Sequence, residues 1–187
     1  MNGNLAEEPD GRLVERALSG EERAFAEIVR RNKRQLFGIV IRIVPNEQDA
    51  LEILQEGFVS AYTALRRYDP ARPLGAWLAA IALNKARDWR RREAVRRVLR
   101  SLLPIGAAFD VVDGEALADV TVSDRQELAL VRKRIAQLPV RLQEVIVLRT
   151  LEGMSQAETA AILQISEKAV ETRLYRARRK LQEDDSA

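Results

Sequence analysis

The sequence predicts an all-α protein: two small helical domains joined by a flexible linker. Three observations support this. Leu, Ala, Val, Ile, Arg and Glu dominate, while only 5% of residues are aromatic, a balance that favours helices over strands. Apolar residues recur at helical spacing in both halves of the 187-residue chain. Between the halves lies an acidic stretch with Pro104 and Gly106 and no periodicity. The boundaries expected are 1–94, 95–126 for the linker, and 127–187.

In the N-terminal half, Ser19-Gly-Glu-Glu22 has the pattern of a capping box and is expected to open a helix reaching about Val44. Phe25, Ile28, Val29, Leu36, Val40 and Ile43 supply its buried side. Pro45 ends it and Asn46 can cap the next helix, about 47–66. There Leu51, Leu54, Phe58, Ala61, Tyr62 and Leu65 share one face. Asp49, Glu52, Gln55 and Glu56 occupy the other. "RRYDPARPLG", residues 66–75, contains two prolines and a glycine and is a loop. A third helix follows from Gly75 to about Arg92, with Trp77, Leu78, Ile81, Ala82 and Trp89 inward. Its outward residues are Asn84, Lys85, Asp88, Arg91 and Arg92. Three such helices make a small but feasible core.

The linker begins with the helix-compatible "VRRVLRSLL". Extended, its 32 residues would reach ~100 Å; as a coil they would average ~30 Å. Its apolar residues (among them Leu102, Leu103, Ile105 and Phe109) suggest that it docks on something. Beyond it, a helix at about 125–137 stops before Pro139, a second runs from about 140 to 151, and Gly153 ends that one. Then comes "SQAETAAILQISEKAVETRLYRARRKL", Ser155 to Leu181. Ser155 and Glu158 form a capping box, Gln164-Ile165 make a turn, and Ser166 caps a second helix. Val170, Leu174, Ala177 and Leu181 lie on one stripe of that helix. Its exposed faces carry Lys168, Glu171, Thr172, Arg173, Tyr175, Arg176, Arg178 and Arg179. A recognition helix reads base edges with its N-terminal part and holds phosphates with flanking arginines. The same pattern also occurs in ordinary helix bundles.

Composition excludes several chemistries. Without cysteine or histidine there is no disulfide, thiol nucleophile, histidine base or ordinary zinc site. No convergent nucleophile, base or metal cluster stands out, so no catalysis, metal or cofactor is expected. No apolar run approaches the ~20 residues of a membrane span, and "MNGNLAEEPDGR" lacks a signal pattern; a cytoplasmic location is expected. Residues 85–100 carry eight basic side chains against two acidic ones, net +6, while 101–126 have net −4. A basic stripe beside an acidic stretch points to a polyanion site and a segment kept off it.

Two stretches carry a resemblance. "DALEILQEGFVSAYTALRRYDPARPLGAWLAAIALNKARDWRRR", Asp49 to Arg92, and "LPVRLQEVIVLRTLEGMSQAETAAILQISEKAVETRLYRARRKL", Leu138 to Leu181, together resemble the extracytoplasmic-function (ECF, group 4) sigma factors of bacterial RNA polymerase. The shared pattern is an acidic start, Gln then Phe, a loop, "WL..IA.N...D..RR", and a helix-turn-helix after a linker of about 30 residues. The resemblance implies a non-catalytic initiation factor. The 49–65 helix would dock on the β′ clamp of core polymerase through Asp49, Glu52, Gln55 and Glu56, and the β flap would be a second contact. The 66–92 segment would read the −10 element. Tyr68 would line a base pocket, Asn84 would meet a base edge, and Lys85, Arg87, Asp88, Arg91 and Arg92 would complete the DNA contacts. The −35 element would fall to Lys168, Glu171, Thr172, Arg173, Arg176 and Arg179. The sequence departs from the family at Glu171, where a basic residue is common, and at Leu74, where phenylalanine is frequent. A carboxylate at 171 can accept from cytosine N4 or orient an arginine, but cannot hold phosphate. Promoter DNA and an anti-sigma factor are the further partners implied. Elements two helical turns apart lie ~70 Å from one another, so the linker would be held partly extended.

Two other functions compete. A free-standing helix-turn-helix regulator would bind duplex DNA without polymerase, usually as a dimer, but has no use for a clamp-docking helix or base pocket. An adaptor mimicking a sigma domain would be expected to carry a receiver domain, for which no segment is evident.

Overall fold

The structure, a computed structural model, describes residues 4–102 and 122–183. The central part of the expected linker, 103–121, lies outside the described residues. Among the described residues every regular element is helical.

A 3-10 turn at Leu5–Glu7 leads into α1, Asp10–Leu18, an element the periodicity reading did not assign. Leu13, Val14 and Ala17 bury its inner face. The helix stops because Gly20 turns the chain at φ +95°, a conformation open to glycine. That turn corrects the expected capping box at Ser19. Ser19 closes α1, and its hydroxyl donates to the Arg16 carbonyl at 2.7 Å. The next helix, α2, spans Glu22–Ile41 and starts at Glu21 without a side-chain cap. Glu21 is instead held by Arg16 at 2.7 and 2.8 Å.

α3, Glu47–Ala64, is capped as expected, Asn46 Oδ1 accepting from the Asp49 amide at 3.0 Å. Its apolar stripe is only partly buried. Leu54, Ala61 and Leu65 are inside, but Leu51 is 39% and Tyr62 48% exposed. The stripe is wider than the seam with α2 and α4, so its edge residues remain at the surface. A 3-10 turn, Leu65–Arg67, follows. α4 then runs unbroken from Leu74 to Leu102, so "VRRVLRSLL" continues it. Leu74, Leu78, Ala79, Ala82, Leu83 and Ala86 are buried on its inner face. Trp77, Ile81 and Trp89 pack half-buried on the same core.

The C-terminal half comprises α5 (Val122–Gln137), α6 (Val140–Ile146), a π-helical turn at Val147–Leu151, α7 (Gln156–Leu163) and α8 (Glu167–Glu183). Gly153, at φ +67°, separates the π turn from α7. Ile135, Leu138, Ile146 and Ala177 form a small cluster between α5, α6 and α8. The larger core is shared by both halves: Val145, Leu148, Ala160, Ile162 and Leu163 belong to one apolar cluster with Leu36, Val40, Leu83 and Ala86. α7 packs directly on α4.

Candidate nucleic-acid and protein interfaces

The helix-turn-helix is fixed by local chemistry. Ser155 Oγ accepts from the Glu158 amide at 3.1 Å, and Glu158 Oε2 accepts from the Ser155 amide at 2.7 Å. Hydrogen bonding to the carboxylate by the Ser155 side chain first, and then by its backbone amide, holds the Glu158 carboxyl below its ordinary value. Gln164 takes the left-handed conformation, φ 54° and ψ 46°, to close α7. Ser166 Oγ then accepts from the Ala169 amide at 3.2 Å, starting α8. Gln156 Nε2 donates to the Glu167 carbonyl at 3.2 Å and ties the two helices together.

α8 buries Val170 and Ala177, with Leu174 and Leu181 half-buried beside them. Lys168, Glu171, Thr172, Arg176 and Arg179 are exposed, and Arg173 is half-buried. Thr172 Oγ1 donates to the Lys168 carbonyl at 2.8 Å, and Arg179 pairs with Glu183 at 3.1 Å. The face thus offers hydrogen-bonding groups at its N-terminal turns and cations farther on. Tyr175, 66% exposed among them, was not counted with the base-reading candidates. Its position off the apolar stripe makes it legible as outward, but nothing in the spacing marks it as a contact.

The second DNA candidate lies on the loop before α4 and on α4 itself. Tyr68 stacks obliquely on Trp77, ring centroids 5.2 Å apart, and its hydroxyl donates to the Arg72 carbonyl. Burial first, and then Asp10 and Asp69, push its phenol above the ordinary value, so it stays a neutral aromatic wall. Asn84 is exposed, and its Oδ1 accepts from Arg87 Nη1 at 2.7 Å. Asp88 pairs with Arg91 at 3.0 Å, and Arg92 Nε reaches the Asp88 carbonyl at 3.4 Å. Lys85 points toward Glu56 of α3, 3.8 Å away, so it links the DNA-side and polymerase-side candidates.

Arg87 is placed differently from its neighbours. It makes a two-pronged contact with Glu144 of α6, at 2.5 and 2.9 Å, a geometry suited to guanidinium and carboxylate. Arg90, on the same helix, donates to Gln143. Glu144 raises the Arg87 pKa, chiefly through that hydrogen bond, while burial lowers that of Arg90. Gln143 and Glu144 are fully buried. Sequence reasoning passed over both. The available signal was a polar pair inside the apolar run "LQEVIVL".

On α3, Asp49 is half-buried, and Glu52, Gln55 and Glu56 are exposed. Beside them α2 and α3 enclose an open groove of about 640 Å³, walled by Phe25, Val29, Leu51, Phe58, Val59 and Tyr62. Phe25 and Tyr62 meet edge to face at 4.9 Å. Glu22, Lys33 and Gln55 form its polar rim, and Glu52 and Glu56 border an adjoining cleft with Gln55 and Lys85; an apolar floor with a polar rim suits a helical protein partner. Sequence reasoning found Gln55 of the rim, passed over Glu22 and Lys33, and assigned Leu51 and Tyr62 of the wall to the core.

Among the described residues there is no group of three or more His, Cys, Asp or Glu that could hold a metal ion. None of the described helices is long and apolar enough to cross a membrane.

Comparison with known proteins agrees with this arrangement. The family described as "Sigma-70 region 2" matches residues 28–96, and "Sigma-70, region 4" matches 128–181. The RNA polymerase sigma factor CnrH of Cupriavidus metallidurans is 40% identical over 94% of this chain and 93% of its own length. The ECF RNA polymerase sigma-E factor of Haemophilus influenzae is 31% identical over 90% of this chain and 91% of its own. The solved structure of CnrH in complex with the cytosolic domain of CnrY is similar at a TM-score of 0.67 and 36% identity. That likeness covers 92% of this chain and 94% of that one.

Proposed function

Because this chain belongs to the sigma-70 family of RNA polymerase sigma factors, which are DNA-binding transcription initiation factors and not enzymes, we propose that it is an ECF-type member. In this reading residues 1–94 bind core polymerase and the −10 element, 127–187 bind the −35 element, and 95–126 link them. The groove between α2 and α3, with Asp49, Glu52, Gln55 and Glu56, receives the β′ clamp. Tyr68, Asn84, Lys85, Arg87, Asp88, Arg91 and Arg92 serve the −10 DNA. Lys168, Glu171, Thr172, Arg173, Arg176 and Arg179 serve the −35 DNA, with the β flap holding that half in place. The protein works in the cytoplasm under the control of an anti-sigma factor. The relative CnrH, solved with the cytosolic domain of CnrY, supports a protein partner of that kind.

One observation carries the reading. The same chain presents an apolar groove between α2 and α3, beside the exposed Glu52, Gln55 and Glu56, and an exposed, basic recognition helix on α8. A free-standing helix-turn-helix regulator needs only the second.

Reconstitution tests it. The protein is added to core polymerase free of other sigma factors, and transcript starts are mapped across a genome. The expected result is a set of start sites sharing one −10 and one −35 sequence. Failure to bind core polymerase would overturn the assignment.

A further inference from the structure

We propose that residues 4–10 form a brace for the −10 reader: Arg31 of α2 fastens them, and through Asp10 and α1 they set the place of Tyr68. This rests on the function proposed above, which gives Tyr68 to the −10 contacts. Arg31 touches no base in this reading; it is a positioning residue.

The fastening is specific. Arg31 Nη2 donates to the Leu5 carbonyl at 2.8 Å, and Nη1 donates to Asp10 Oδ1 at 3.0 Å. Its Nε donates to Glu27 on the same helix at 2.9 Å, which aims the guanidinium at the N-terminal segment. Glu27 also accepts from Arg30 with both oxygens at 2.7 Å. Arg30 first, and then Arg31, hold the Glu27 carboxyl down at about 2, so the anchor stays charged. Within the brace, Asn4 Oδ1 accepts from the Ala6 amide at 3.2 Å and its Nδ2 donates to Glu7 at 2.9 Å, folding the 3-10 turn. Arg16 of α1 pairs with both Glu8 and Glu21, and Leu5 packs on the N-terminal core.

The far side of the brace meets the reader. α1 lies against the 3-10 turn Leu65–Arg67, and Tyr68 is the residue that closes that turn. Asp10, the first residue of α1, is near enough for its charge to act on the Tyr68 phenol. The loop's internal bonds run from the Ala71 amide to Asp69 Oδ1, from the Arg72 amide to the Asp69 carbonyl, and from the Tyr68 hydroxyl to the Arg72 carbonyl. They fix the loop's shape but not its place on the molecule. Place comes from Trp77 behind the Tyr68 ring and from α1 beside it.

A segment that only covered apolar core would need Leu5 and not a guanidinium shared among a carbonyl and two carboxylates. Partly exposed ion pairs add little net stability. What a planar fork supplies is one fixed geometry. A reading group displaced by about 1 Å loses much of its effect, so a change at Arg31 or Asp10 is felt at Tyr68.

The test uses the full chain bound to core polymerase. The probes are single-stranded oligonucleotides carrying the −10 sequence found by start-site mapping, and its single-base mismatches. Discrimination is the ratio of matched to mismatched affinity. A loss of folded protein lowers both affinities alike and leaves that ratio unchanged. Tyr68→Ala identifies the position that Tyr68 reads. Arg31→Gln and, separately, the milder Asp10→Asn should lower discrimination at that position about three- to tenfold, the coupling expected between neighbours. Other positions and core affinity should hold. In a Tyr68→Ala background neither change should have a further effect. In the free protein, with Trp89→Phe leaving Trp77 as the only tryptophan, both changes should move its emission to longer wavelength as Tyr68 swings off the ring.

Unchanged discrimination in both variants would overturn the proposal. So would an equal loss at every position, or effects that add to that of Tyr68→Ala, since either would show a structural segment and not a brace for one side chain. Were the sigma-factor reading itself at fault, the unaltered protein would fail to bind core polymerase, while the tryptophan shift in the free variants would still report the link from Arg31 to Tyr68.

Discussion

A guanidinium on an exposed helix face can read a base or hold a phosphate, and the two jobs differ in what they do to binding. Arg176 is exposed near the middle of α8, one turn beyond Thr172. Two other cations on the same helix are less free to reach DNA: Arg179 pairs with Glu183 at 3.1 Å, and Arg173 is half-buried. Arg176→Ala is therefore expected to have a large effect among single α8 substitutions. If Arg176 reads a guanine, affinity for polymerase-bound promoter DNA should fall by ~1–3 kcal/mol and sequence preference at one position should relax. If it holds phosphate, binding should weaken evenly across sequences, and the slope of log affinity against log salt should drop by about one unit. Titrating matched and mutated −35 sequences at several salt concentrations separates the two; no change in either quantity would remove Arg176 from the interface. Glu171, beside it in sequence, was recognisable from the residues alone as an acid on a basic face. Its partner was not, because a surface carboxylate has no spacing that names a base.

The helix-turn-helix was the most legible element, and the reason is local. Ser155, Glu158 and Ser166 act on amides within three residues, so their pattern survives without tertiary knowledge. The same reasoning failed at Ser19, where Gly20 at φ +95° turned an apparent N-cap into the close of α1. It failed again at the edge of α3. Leu51 and Tyr62 fit the apolar period, but period defines a face and not the width of the seam that covers it. The π-helical turn at Val147–Leu151 left no sequence signal that periodicity could read. The turn between α7 and α8 offers a direct check. Gln164 is the one non-glycine residue at positive φ among those described, a conformation that penalises a Cβ by roughly 1–2 kcal/mol. Gln164→Gly should raise stability by about 0.5–1 kcal/mol, the relief exceeding the extra entropy of glycine in the unfolded chain. Gln164→Val, β-branched, should lower it. Thermal melts of the two variants must shift in opposite directions if the turn geometry is as described.

At the scale of the whole molecule the sequence divides the chain in two, whereas the buried residues unite it. Hydrophobic period found the core of each half separately. It could not show that Leu148, Ile162 and Leu163 join the cluster of Leu36, Val40 and Leu83, because period carries no information about which faces meet. The C-terminal half keeps only a small cluster of its own, Ile135, Leu138, Ile146 and Ala177. A unit of ~60 residues buries too little surface to be robust alone, so much of its stability must come from the seam with α4. Both tryptophans, Trp77 and Trp89, lie in α4. Their fluorescence follows the N-terminal core, while far-ultraviolet circular dichroism follows helices in both halves. In the unaltered protein the two signals should lose structure together in urea, the mark of one cooperative unit. Glu144→Gln removes the charge that answers Arg87 across the seam and should uncouple them. Part of the dichroism should then disappear at a urea concentration lower by roughly 1 M, with the tryptophan transition little moved. Coincident curves in that variant would mean that apolar contact alone welds the halves. Separate curves in the unaltered protein would mean that the seam contributes no cooperativity at all.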